Sequence, residues 1–143
     1  MAIRGRIPVE FGAVFPHGVF ATGPAEPSTN YETKRQDKDL VTGLPVWVVD
    51  VYDADPDAGG KQAAIRIKVM AQVCPVLPEP AWGPFRPVEF SGLSVTPYVE
   101  EMGRDDNGIP RTRVAYSFRA TGVRAAGGAG KGAPAARPAK DAA

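Results

Sequence analysis

Arg66 and Lys68 stand two residues apart in Ala63-Ala64-Ile65-Arg66-Ile67-Lys68-Val69, and Arg111, Arg113 and Arg119 share one parity in the segment Arg111 to Ala120. In extended chain, where successive side chains point to opposite faces, each set occupies one face of its strand. Cations so placed can each meet a phosphate, and aromatic rings beside them can stack on bases. Tyr31, Trp47 and Tyr52 are the candidate rings, Lys34 and Arg35 add cations next to Tyr31, and Trp82 and Tyr98 fall beside segments that can bound the same surface. The chemistry expected is recognition of single-stranded nucleic acid. Its candidate contacts are Tyr31, Lys34, Arg35, Trp47, Tyr52, Arg66, Lys68, Arg111, Arg113 and Arg119. The alternative use of these residues is ordinary: solubilising cations on exposed strands and rings in a core.

Other chemistries lack their residues. His17, the one histidine, sits between Pro16 and Gly18 and reads as a turn residue. Cys74 is the single cysteine, so an internal disulfide is excluded, and a structural zinc site would lack most of its four ligands. The acids Asp50, Asp53, Asp55 and Asp57 run into Gly59-Gly60 without the later glutamate and flanking helices of a calcium loop. Neither glycine run, 59–60 or 127–130, carries the Lys-Ser or Lys-Thr of a phosphate-binding loop. The expectation is a protein that is not an enzyme and holds no cofactor or metal.

The elements that must position the cations and rings are strands. Fifteen prolines and sixteen glycines leave no window for several long helices. Leu44 to Asp53 alternates Trp47, Val49 and Val51 with Val46, Val48, Asp50 and Tyr52, so only one of Trp47 and Tyr52 can face outward. In Ala63 to Met70, Ile65, Ile67 and Val69 must face a core and Arg66 and Lys68 must face away. Arg111 to Ala120 alternates in the same way. Ile7 to Phe20 reads as one or two strands broken at Pro16-His17-Gly18, Tyr31 to Asp37 as a polar edge strand, and Val88 to Val99 as a strand broken at Ser91-Gly92. Glu100 to Pro110 reads as a charged hairpin loop. Cys74 to Pro87, with prolines at 75, 78, 80, 84 and 87, is a loop expected to close one end with Trp82 or Phe85 tucked over the core.

The fold class expected is all-β: a small antiparallel barrel of five or six strands, OB-fold-like, with a β-sandwich as competitor. Its domain spans residues 1–123, and residues 124–143 form a disordered basic tail rich in Gly, Ala and Pro. The formal net charge is +1, with 13 Lys and Arg against 15 Asp and Glu in residues 1–123 and four against one in residues 124–143. A near-neutral body excludes binding driven by overall basicity and requires any polyanion site to be local. No apolar run reaches the length of a membrane span, and Met1-Ala2-Ile3-Arg4-Gly5-Arg6 leads into Ile7-Pro8 without an apolar stretch, so a cytoplasmic location away from membranes is expected.

Several blocks carry a resemblance. Val14-Phe15-Pro16-His17-Gly18, Gln36-Asp37-Lys38-Asp39 with Thr42-Gly43-Leu44-Pro45-Val46-Trp47, Asp53-Ala54-Asp55-Pro56, Pro87-Val88-Glu89-Phe90-Ser91-Gly92-Leu93, Pro97-Tyr98-Val99 and Tyr116-Ser117-Phe118-Arg119-Ala120-Thr121-Gly122 are its residues. Together they resemble the plasmid replication, integration and excision activators of actinobacterial integrative conjugative elements, over about residues 7–123. The resemblance implies a part in switching a mobile element from integration to excision and replication. It implies no catalytic or ligand-contacting residue. Two functions stay open: a single-stranded-DNA-binding accessory protein, and an interaction protein that recruits or regulates a replication initiator without touching DNA. Exposed strand edges are compatible with a homo-oligomer.

Overall fold

Alternation in the two most regular segments produces β4 (Val46–Asp53) and β5 (Ala64–Met70), paired antiparallel from Val46↔Met70 to Tyr52↔Ala64. A computed structural model of the chain describes residues 5–59 and 63–127. Val49, Val51, Ile67 and Val69 are fully buried on one face of this pair, and Asp50, Tyr52, Arg66 and Lys68 stand on the other. Trp47 belongs to the inner set by parity. Its indole N–H donates to the Ala71 carbonyl at 2.9 Å, and Tyr52 is the residue that faces out.

The remaining elements are β1 (Ile7–Pro8), a single helical turn α1 (Phe11–Val14), β2 (Val19–Ala21), β3 (Glu26–Pro27), β6 (Arg86–Ser91), β7 (Ser94–Arg104), β8 (Pro110–Ala120) and β9 (Gly122–Ala125). They form one nine-stranded sheet in the order β1-β7-β8-β5-β4-β2-β6-β9, with β3 added beside β4. The core lies under β2, β4, β5 and β6, where Val19, Ala21, Val88 and Phe90 join the four buried residues above. Phe15 and Phe118 close it, with ring centroids 5.5 Å apart.

Several expectations are corrected. The protein is all-β, but its sheet follows an open path with ends at β1 and β9 instead of closing as an antiparallel barrel of five or six strands. The sheet is mixed because β5 and β8 pair in parallel at Ile67↔Phe118, Lys68↔Arg119 and Val69↔Ala120. Strand number rises because two long segments bend. Between β6 and β7 the chain turns at Ser91-Gly92-Leu93, and opposite it Thr121 separates β8 from β9, with the Thr121 N–H donating to the Ser91 carbonyl at 2.9 Å. Beyond that corner β9 pairs with β6 from Val88↔Ala125 to Ser91↔Gly122, so Arg124 and Ala125 belong to the sheet although a tail was expected from 124. Ala126 and Gly127 follow as a turn, and residues 128–143 of that expected tail lie outside the described residues.

Tyr31–Asp37 is not an edge strand. Its polar alternation has no apolar face to bury, and Asn30 Oδ1 instead accepts the N–H groups of Glu32 and Thr33, at 2.8 and 3.1 Å, as a turn. The expected hairpin loop at Glu100–Pro110 is shorter than read: β7 runs to Arg104 and β8 starts at Pro110, leaving Asp105 Oδ1 to accept from Asn107 and Ile109. Trp82 and Phe85 do not cover the core but stay exposed on the outside.

The corner makes a specific prediction. Gly92 has φ +61°, and a Cβ added there would run into the Thr121 side chain. Gly92→Ala is therefore expected to lower unfolding stability by roughly 2 kcal/mol, combining left-handed backbone strain with the clash. Gly12→Ala, with open space around it, is the control and should leave the urea midpoint unchanged or slightly raised.

Candidate nucleic-acid interface

β5 and β8 pair over only three residues and then part, because β8 continues into a β7–β8 hairpin that extends past the body. The gap is an open groove of about 1240 Å³. Its walls carry Arg66 and Lys68 from β5, Arg113 and Arg119 from β8, Tyr98 and Glu100 from β7, and Arg6 from the segment preceding β1. Register explains the gathering. Lys68 lies beside Arg119, Glu100 beside Arg113, and Tyr98 beside Ala115, so these side chains share the outer face.

Most of the cations are already partnered. Arg66 Nε and Nη2 donate to the two Asp50 carboxylate oxygens at 2.9 and 3.3 Å, and this pair holds Arg66 protonated above the ordinary guanidinium range. Arg113 Nε donates to Glu100 at 2.9 Å. Both pairs are solvent-exposed and so weak enough to exchange an acid for a phosphate. Arg119 Nη1 is 3.8 Å from Asp39. Among the described residues Lys68 has no ion-pair partner. Five cations line the groove, and subtracting Glu100 and the flanking partners Asp39 and Asp50 leaves an excess of two positive charges.

Asp39 is the pivot behind this wall. Its side chain is fully buried, accepts from both Arg6 guanidinium ends and takes hydrogen bonds from the Thr42 N–H and hydroxyl, each at 2.9 Å. Arg6's hydrogen bonds hold the carboxyl well below the usual carboxylate range against the opposing effect of burial, with Thr42 adding to the shift. The Thr42-Gly43 turn thus serves to fasten Arg6 and, at longer range, Arg119.

The structure brings together four of the ten expected contacts, Arg66, Lys68, Arg113 and Arg119, in the groove. Tyr52 is outside the groove but next to Arg66, with which it lines a smaller depression of about 350 Å³. Trp47 is withdrawn from the outer face, and Arg111 lies on the exposed hairpin beyond the groove. Tyr31, Lys34 and Arg35 are in the β3–β4 loop, where Lys34 Nζ sits 4.5 Å over the Tyr31 ring, and none of the three lines the groove. His17 is exposed, its Nε2 4.0 Å from Asp55, and Cys74 is half-buried against the core.

Tyr98, named from the sequence as a ring that can bound this surface though not as a contact, reaches the groove through its register with Ala115, and Arg6, which sequence reasoning missed, reaches it through the Asp39 clamp. A second group, Phe20, Trp82 and Phe85, gathers with Tyr52 around an apolar pocket of about 590 Å³. The one local signal for it was Trp82-Gly83-Pro84-Phe85, a tight turn that presents both rings on one side. No helix among the described residues is long and apolar enough to cross a membrane. No protein-family model, curated protein or solved structure matches the chain.

Proposed function

We propose that this protein is a single-stranded-DNA-binding accessory factor that supports replication, excision or transfer of a mobile element in the cytoplasm. The observation that carries the proposal is the β5–β8 groove, where Arg66, Lys68, Arg113 and Arg119 converge with Tyr98 although the body as a whole is near neutral. A local positive track with aromatic platforms is what sequence-tolerant single-strand binding requires. The link to a mobile element rests on the resemblance of residues 7–123 to the replication activators.

An OB-like arrangement accompanies this proposal. It is supported by strand neighbours: with β6–β7 and β8–β9 each taken as one bent segment, the order reads β2, β4, β5, β8–β9, β6–β7. OB folds are partly open and bind oligonucleotides on the face of their second and third strands and adjoining loops. Here that face is β4 and β5, flanked by the β7–β8 hairpin.

The test is fluorescence anisotropy of labelled single-stranded and duplex oligonucleotides across a salt series. Expected is preferential single-strand binding that weakens with salt and survives removal of residues 128–143. Asp50→Asn should tighten it about threefold with an unchanged salt slope, because Arg66 no longer has to leave Asp50 to reach a phosphate. Binding to neither nucleic acid at low salt would sink the proposal.

A second function is favoured by the hairpin itself. Val99, Met102, Ile109, Val114 and Tyr116 are each more than half exposed there, which suits a protein partner such as a replication initiator or a second copy of this chain. Mass by light scattering, alone and with the initiator, separates these two partners.

A further inference from the structure

We propose that the pocket formed by Phe20, Tyr52, Trp82 and Phe85 is a nucleobase-stacking subsite, receiving a base from the strand whose phosphates follow Arg66, Lys68 and Arg119. The inference rests on the single-strand function of the groove and adds to it a site of different chemistry.

Three observations carry it. The first is exposure held in a fixed shape. Trp82, Tyr52 and Phe85 are 61%, 47% and 41% exposed, yet Trp82 and Phe85 are set by a turn in which the Phe85 N–H donates to the Trp82 carbonyl at 3.0 Å and the Ala81 N–H to the Phe85 carbonyl at 2.8 Å. Both rings meet Phe20 edge-on, at centroid distances of 5.4 and 6.4 Å. Such edge contacts leave ring faces available to a flat apolar ligand.

The second is continuity. The pocket shares Thr22 and Tyr52 with the neighbouring depression, and that depression shares Ala64, Ile65 and Arg66 with the basic groove. Phe20 lies beside Tyr52 in the sheet, and the Asp50–Arg66 pair lies one register position further along the same face as Tyr52 and Ala64. From β2 through β4 and β5 to β8 is three strand spacings, about 14 Å. Aromatic pocket and phosphate track are thus parts of one surface.

The third is selectivity by charge. The polar side chains in the pocket are Thr22 and Asp53 besides the Tyr52 hydroxyl, with no cation among its lining residues. A carboxylate repels phosphate, so the pocket suits the base and leaves the backbone to the cations.

The experiment uses the full chain and an oligothymidylate of about 15 nucleotides, a length within the range of site sizes for one such domain. Label anisotropy and tryptophan emission are read in the same titration. Emission is expected to fall with the same midpoint as anisotropy rises, and Trp82→Phe is expected to remove most of that quenching, since Trp47 lies on the opposite face of β4 from Tyr52. Trp82→Ala and, separately, Tyr52→Ala should each weaken binding about tenfold while leaving the salt slope unchanged, the mark of lost stacking with phosphate contacts intact. Circular dichroism of both variants establishes that they fold. Unquenched emission with unchanged affinity in both variants would overturn the subsite and leave the groove function standing. Absence of oligonucleotide binding combined with quenching by a thymidine dinucleotide would do the reverse, keeping a base site and removing the groove.

Discussion

Replacing Arg66 and Lys68 together by alanine is expected to weaken single-strand binding by about 25-fold at 0.1 M salt and to flatten the log affinity against log salt slope by about 1.4. Each phosphate contact on a single strand releases counterions with a slope of about 0.7, which is about fivefold at that salt. Lys68 contributes most directly, because no acid among the described residues has to be displaced from it. Arg66 must exchange Asp50 for phosphate, and its removal leaves Asp50 as a bare negative charge beside the track. The paired control is Arg35→Ala/Arg111→Ala, which removes the same charge from outside the groove and should change affinity by less than about threefold. Equal losses in the two double variants would mean that attraction is diffuse, and the groove would lose its special place. Anisotropy over 50–300 mM salt resolves the difference.

Arg6→Ala is expected to have the largest effect on stability, lowering unfolding free energy by about 3–5 kcal/mol. Removing one partner of a buried ion pair leaves the other charge only partly compensated in a place that water reaches poorly. Asp39 is fully buried, and once Arg6 is gone its nearest cation is Arg119 at 3.8 Å, with Thr42 still donating. The pH dependence has a definite sign. Because the folded-state pKa of Asp39 is depressed, its stabilisation is present above the unfolded value near 3.9 and is lost as pH falls below about 4 toward the folded value. The wild-type chain should therefore lose stability steeply from pH 4 to 2, and Arg6→Ala should lose less over that window. Urea midpoints at pH 2.5, 4 and 7 check both statements. Identical slopes would show that another carboxylate governs acid unfolding. Because the clamp also holds Arg119, Arg6→Ala should weaken nucleic-acid binding as a secondary effect.

Much of the fold was legible because strands with one buried face announce themselves by parity. Ile65, Ile67 and Val69 had to be inside, so Arg66 and Lys68 had to be outside, and β8 repeats the logic with Phe118 and Ala120. The same rule allowed only one of Trp47 and Tyr52 to face outward, and burial of Val49 and Val51 decides for Tyr52. Tyr31–Asp37 misled because alternation among polar residues alone has no free energy of burial behind it, and Asn30 offered its backbone a turn. β3 and β9 were missed or cut short because strands of two to four residues carry too few side chains to show a period.

The sequence by itself determined which side chains could act: a near-neutral β-rich body, two strands with outward cations, and rings spaced among turns. Only the tertiary structure decided which of them stand together. Lys68 and Arg119 are 51 positions apart, and their adjacency comes from a parallel pairing that a local pattern cannot encode. Asp50 and Glu100 temper Arg66 and Arg113 through cross-strand contacts equally invisible along the chain. The physical reason is the same in each case: parity follows from the geometry of one strand, whereas register is set by the whole core that the strands enclose.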